Sequence, residues 1–194
     1  MAIILQSQLR QFRNTVRPTN LSVNESLNSF RSESKQDKVT IFLSHKHDEA
    51  ENLDSAINLL KRFRVNVYVD WLDEGMPKST SGITALRIKK KIKENKKFIF
   101  LATEGAIASK WCNWELGYGD SLKYIDNIAL FPIKNDYSTY SGSEYMQIYP
   151  SIEYEDGRDK NTDGDYISEG YYVFFPADNK GSRKYITLGA WLAR

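Results

Sequence analysis

"VTIFLSHKHDEAENLDSAINLLKRFRVNVYVD", residues 39–70, changes its hydrophobic period twice, and those changes decide the fold. "VTIFLS" (39–44) is an almost unbroken apolar run of β-branched, aromatic and aliphatic residues, the pattern of a strand buried on both faces. In "DEAENLDSAINLLKRF" (48–63), Leu53, Ile57 and Leu60 recur at i, i+4 and i+7. Acids fill the first turn, where they favour the macrodipole, so the spacing predicts an amphipathic helix. "VNVYVD" (65–70) returns to a strand pattern.

The same rhythm continues outward. "WLDEGMPKSTSG" (71–82) is a loop punctuated by Gly75, Pro77 and Gly82, and "ITALRIKKKIKEN" (83–95) is a helix with a basic outer face. "KFIFLAT" (97–103) is a third strand, "SKWCNWELGYGD" (109–120) opens the next helix, and "NIALFPI" (127–133) is a fourth strand. Strands alternating with helices predict a parallel α/β sheet with right-handed crossovers, flavodoxin-like in order (2-1-3-4-5). Beyond Lys134 the alternation stops. "YMQIYPSI" (145–152) reads as a fifth strand, and "YYVFFP" (171–176) with "KYITL" (184–188) as a terminal hairpin around "ADNKGS". At the start, "MAIILQSQLRQFRNTVRP" reads as an appended helix, followed by a Ser- and Asn-rich linker over 18–37. The expected organisation is an arm over 1–37, an α/β domain over 38–152 and an extension over 153–194 packed on it.

Composition narrows the function. The 194 residues are 41% hydrophobic and 27% charged, ordinary for one globular domain. Lys+Arg 27 against Asp+Glu 25 leaves a net charge of +2, no electrostatic reason to expect nucleic acid or an acidic membrane as partner. Cys112 is the sole cysteine, which excludes an intrachain disulfide and a cysteine-based zinc site and suits a reducing compartment. The apolar opening is too short for a secretory or membrane segment, so a soluble cytoplasmic protein is expected.

In open parallel sheets ligands bind beyond the strand carboxyl ends, where strand order reverses. Here that point lies between the first and third strands. It gathers "SHKHD" (44–48) and the helix carrying Trp111 and Glu115, with the loop "DWLDEGMPKSTSG" (70–82) hanging over its edge. Trp111 and Glu115, four apart, share a helix face; Ser109 is placed to cap it; Gly117 and Gly119 imply close packing or a break. Read alone, Glu115 would be a solvated helix residue, Trp114 core and Cys112 a small buried hydrophobe. His45, His47 and Asp48 hint at a metal, but two histidines one residue apart in a loop do not make a site, and no metal is expected. "IKKKIKENKK" (88–97) reads as a solvated basic face. "DKNTDGDYISEG" (159–170) misses the calcium-loop pattern at its twelfth position and reads as a solvated loop.

"IFLSHKHDE", "VYVDWLDEG" and above all "SKWCNWEL" resemble the Toll/interleukin-receptor (TIR) domain, over roughly residues 38–133. The resemblance implies a flavodoxin-like fold and, as in many bacterial, plant and axonal members, cleavage of NAD⁺ by one glutamate on the helix after the third strand. By position that residue is Glu115. Ser44, His45, Lys46, Asp70, Trp71 and Trp111 become candidate substrate contacts, with NAD⁺ as substrate and no cofactor. Small bacterial members of similar build make a cyclic ADP-ribose-type signal in anti-phage defence, which implies a downstream effector reached by a diffusible nucleotide. Self-association through the 71–82 loop is implied as well. The chain departs from the pattern at His45 and Lys46, where an aromatic and an arginine are usual. The family's late phenylalanine–tryptophan pair is absent unless "AWL" (190–192) replaces it. Two alternatives stay open: a non-catalytic TIR interaction module, and a nucleoside-transferring enzyme on the same fold.

One carboxylate suffices for the first reading. Nicotinamide is cationic while attached and leaves neutral, so no general acid is needed, unlike ordinary glycoside hydrolysis. The task is to stabilise an oxocarbenium-like ribosyl centre.

Overall fold

The computed structural model describes residues 2–16, 38–70, 81–137, 144–179 and 181–194. Among them eight strands form one sheet: β1 (Ile4–Leu5), β2 (Thr40–Ser44), β3 (Asn66–Tyr68), β4 (Lys97–Ala102), β5 (Ile128–Lys134), β6 (Ser151–Glu155), β7 (Gly170–Phe174) and β8 (Tyr185–Thr187). The helices are α1 (Gln6–Arg10), α2 (Ala50–Lys61), α3 (Gly82–Glu94), α4 (Glu104–Ala108), α5 (Lys110–Lys123) and α6 (Leu188–Ala193).

The sheet order is β3-β2-β4-β5-β6-β7-β8, with β1 paired to β5. Pairs β2/β3, β2/β4, β4/β5 and β5/β6 are parallel, and β6/β7/β8 are antiparallel. The first five positions reproduce the predicted 2-1-3-4-5 order, so the chain is a flavodoxin-like α/β protein with a C-terminal hairpin. The chain steps from β2 outward to β3, then crosses back over β2 to β4. Right-handed crossovers in opposite directions put α2 and α3 on opposite faces. Strands sandwiched in this way must be apolar throughout, and Ile41, Phe42, Leu43 and Phe98 through Ala102 are all buried.

Helix α2 buries the predicted stripe of Leu53, Ile57 and Leu60, together with Ala56 and Leu59. Helix α3 buries Thr84, Ile88 and Ile92 and is capped by Ser81, whose hydroxyl accepts from the Thr84 amide at 3.2 Å. The N-terminal segment begins as a strand, not a helix. Ile4 and Leu5 pair with Ile133 and Lys134, and α1 then packs on α2, with Gln6 Nε2 donating to Asn52 Oδ1 at 3.0 Å.

Two further elements differ from expectation. The predicted strand over 145–152 is a 3-10 turn over Glu144–Ile148, and β6 begins only at Ser151. The hairpin is followed by α6, where the hydroxyl of Thr187 accepts from the Ala190 amide and Trp191 is fully buried. Trp191 lies at the amino edge of the sheet, 4.5 Å beneath the ammonium of Lys97, the first residue of β4. The calcium-like loop closes on itself: Asn161 Oδ1 accepts from the Asp163 and Asp165 amides, and Gly164 takes φ +89°.

Candidate functional site

Ser44 is the last residue of β2, and Glu115 lies in the second turn of α5, 71 residues further on. Their side chains meet: Ser44 Oγ donates to Glu115 Oε2 at 2.5 Å, in the interior. Neither side chain is solvated; Glu115 is 2% exposed and Ser44 is fully buried. The helix that carries the acid is set locally. Thr103 caps the short α4, Ser109 ends it, and the Ser109 hydroxyl then caps α5 by accepting from the Cys112 amide at 3.3 Å. The turn between α4 and α5 aims the Trp111/Glu115 face at the end of β2.

Close packing holds that face down. A Cβ on Gly119 would stand 3.0 Å from Phe98 Cδ2 on β4, so this glycine lets the helix sit against the strand. Gly117 is exposed with open space around it, and nothing in the structure explains its choice. Gly105 has a clear role that the sequence reading did not single out: Lys46 and Glu49 cross directly over it. This contact brings the loop after β2 onto the start of α4.

Two acids of opposite character share the site. Burial drives the Glu115 carboxyl well above the ordinary glutamate range, and the charge of Asp70 pushes it the same way; hydrogen bonds from Ser44 and Trp111 oppose them. Burial also acts to raise Asp70, yet the contact with His47 and the charges of both histidines outweigh it and hold that carboxyl below its usual value. One carboxyl is thus kept protonated to unusually high pH while its neighbour stays ionised. Environments that push two titratable groups apart are characteristic of chemically active sites.

The remaining candidates fall around this pair. His45 is buried, and its Nδ1 contacts the Leu43 carbonyl oxygen at 3.0 Å; since a carbonyl can only accept, Nδ1 carries the proton. Burial lowers its pKa. Lys46 lies at the rim, 2.9 Å from Asp48, and that contact raises it. Asp70 is buried two residues beyond β3. Trp111 is half-buried and is a donor to Glu115 as well as an aromatic face. Trp71, and the expected self-association loop from 71 to 80, lie outside the described residues.

Trp114, expected in the core, is half-buried at its edge. It stacks on Trp111 with 4.8 Å between centroids and leads on to Tyr118 at 6.2 Å. Lys89 of α3 caps this ladder, 5.7 Å from the Trp114 ring and 5.0 Å from that of Tyr118, so part of the basic face is engaged. Cys112 is buried, its Sγ 3.3 Å from the His45 carbonyl oxygen, and burial pushes its thiol up to about 12. A thiol held neutral in this way is no nucleophile.

His47 and its sequence neighbour Asp48 take different partners. Asp48 pairs with Lys46, whereas His47 Nε2 lies 3.6 Å from Asp70 Oδ2. Two cavities of about 450 and 610 Å³ lie elsewhere, the first beside Leu130, Tyr149 and Arg183 and the second beside Asp126 and Arg194. Neither is lined by Glu115 or Ser44.

Fold and site together define a flavodoxin-like protein with a buried, hydroxyl-bonded acid at its topological switch point. No protein-family model matches the chain. Over 112 residues it is 25% identical to "Putative cyclic ADP-D-ribose synthase TIR2" of Cytobacillus dafuensis, a TIR-like relationship. The match covers 50% of this chain and 30% of the relative's length. Among the described residues no helix is long and apolar enough to cross a membrane.

Proposed function

We propose that the protein cleaves the nicotinamide–ribosyl bond of NAD⁺, with Glu115 as the catalytic residue, and releases nicotinamide and a linear or cyclic ADP-ribose-type product. What carries the reading is the buried Glu115 carboxyl held by Ser44 at 2.5 Å at the sheet's switch point. The name of the bacillar relative, a cyclic ADP-D-ribose synthase, points the same way.

A carboxyl in a dry site waits for a cation. Bringing the positive nicotinamide ribosyl group against Glu115 supplies the missing counter-charge and favours the ionised acid. Ser44 and Trp111 hold both conformation and charge by donating to it. As the C–N bond lengthens, positive charge moves from the departing ring to the ribosyl carbon. The fixed carboxylate stabilises that charge in a low-dielectric setting, where it is worth far more than in water. Water then completes hydrolysis, or a nucleophile within the same substrate closes a ring. Lys46 at the rim is a partner for the pyrophosphate, and Trp111 flanks the acid with an aromatic face. Signalling in anti-phage defence, through an effector that reads the product, is the biological role we assign to this chemistry.

Incubation with NAD⁺, and separately with a deoxynucleoside, followed by chromatography of the products, tests the reading. Wild type is expected to release nicotinamide and Glu115→Ala is not. Equal nicotinamide release by both would dismiss Glu115, and base exchange with the deoxynucleoside alone would make the protein a nucleoside-transferring enzyme.

A further inference from the structure

We infer that His45, His47 and Asp70 form a binding site for a zinc-class divalent cation at the carboxyl edge of the sheet. Each residue offers one ligand atom, and the three atoms lie within 4.8 Å of one another. Ligands about 2.0–2.1 Å from a tetrahedral zinc ion stand about 3.4 Å apart. His47 Nε2 and Asp70 Oδ2, at 3.6 Å, already have that spacing. The same distance is too long for a hydrogen bond.

His45 is oriented as metal-binding imidazoles are. Its Nδ1 donates to the Leu43 carbonyl at 3.0 Å, which fixes the tautomer and puts the lone pair on Nε2. A backbone carbonyl behind a ligating histidine is a standard supporting contact. The spacing between His45 and Asp70 is rigid, since Phe42 and Tyr68 are paired across β2 and β3 just before them. His47 comes from the loop after β2, and its ring is half-exposed.

The donor set selects the ion. Two imidazoles with one carboxylate suit zinc and its first-row neighbours, whereas magnesium and calcium take oxygen ligands. Three protein ligands also leave a fourth position for water or an anionic group, as in catalytic and exchangeable sites. A plain imidazolium–carboxylate pair would account for His47 and Asp70 but gives no reason for the oriented His45 beside them. The inference stands whether or not Glu115 cleaves NAD⁺.

The chain, purified without a histidine tag and stripped with a chelator, is titrated with Zn²⁺ by calorimetry and with Co²⁺ by visible absorption. Wild type is run beside H47A, D70N and D48N. One Zn²⁺ per chain is expected, with no heat from Mg²⁺. Affinity should fall at least about a hundredfold in H47A and D70N, more than loss of a supporting contact costs, and stay unchanged in D48N. H47A alters only a half-exposed ring, so its result does not hinge on refolding the interior. No Zn²⁺ bound by wild type, or equal affinity in H47A, would overturn the site.

Discussion

Replacing Glu115 by glutamine should abolish turnover and stabilise the protein, and the second effect is the more discriminating. Gln keeps the shape of the side chain and can still accept from Ser44, but it never ionises. In the wild type burial and the charge of Asp70 raise the carboxyl well above its unfolded value. A group with a raised folded value adds stability at acid pH and loses it as pH climbs through that value. Below the ordinary carboxylate range E115Q and wild type should therefore melt together. Above it the wild type weakens while E115Q does not, so the gap opens with pH. Keeping the buried carboxyl with incomplete pairing costs about 1–3 kcal/mol. For a chain of this size each kcal/mol moves Tm by roughly 2–4 °C, so a gain of about 2 kcal/mol would raise Tm by roughly 4–8 °C. Thermal unfolding followed by circular dichroism from acid to mildly alkaline pH reads this directly, and nicotinamide release on the same samples should fall at least about a hundredfold. An E115Q protein that melts below wild type at high pH would refute the buried acid, raised by desolvation, on which the mechanism rests.

S44A removes the donor at 2.5 Å and makes the acid harder to ionise. A hydrogen bond to a charged group is worth about 1.5–3 kcal/mol, so the cleavage rate at neutral pH should drop about 10- to 100-fold, with the deficit narrowing as pH rises; a pH-independent loss would count against the charge argument. The two glycines of α5 should respond with opposite signs. G117A meets open space and should gain about 0.5–1 kcal/mol, while G119A drives a methyl into Phe98, already stacked on Phe42 at 5.6 Å, and should lose about 1–2 kcal/mol in urea unfolding after the helix-propensity gain is counted. Lys97 is fully buried, and burial, then the charge of Lys96, lowers it to about 8. Its folded value lies below its unfolded one, so wild-type stability should rise from about pH 8 toward the ordinary lysine range. K97M should be more stable by about 1 kcal/mol at pH 7 and lose that advantage by pH 10; a constant difference across the range would show that Lys97 stays charged.

The parts legible in the sequence are those whose physics is local. The strands at 40–44, 97–102 and 128–134 are legible because burial on both faces makes their interiors apolar, with polar residues such as Ser44 and Lys97 only at their ends. Helix α2 was equally plain, since its apolar stripe spans three turns. Short elements escaped for the converse reason. Two residues of β1 carry no period, and Ile4 reads as strand only because Ile133 lies beside it. Residues 145–152 are apolar enough for a strand, yet Tyr149 N donates to Met146 O at 3.2 Å, and this local turn takes most of the segment before β6 starts. Six residues of α6 cannot display an amphipathic pattern, and Trp191 is helical because the pocket against Lys97 holds it there. The site divides along the same line. Spacing alone placed Trp111 and Glu115 on one face, and parallel topology alone delivered that face to Ser44. Sequence neighbourhood says nothing of the acid that His47 meets, since the adjacent Asp48 belongs to Lys46. That acid, Asp70, lies 23 residues downstream, and what joins them is the pairing of Phe42 with Tyr68 across two parallel strands. Register between strands is a tertiary quantity, fixed by the core and not by any local pattern. The chemistry at the rim could be read only once the sheet had set that register.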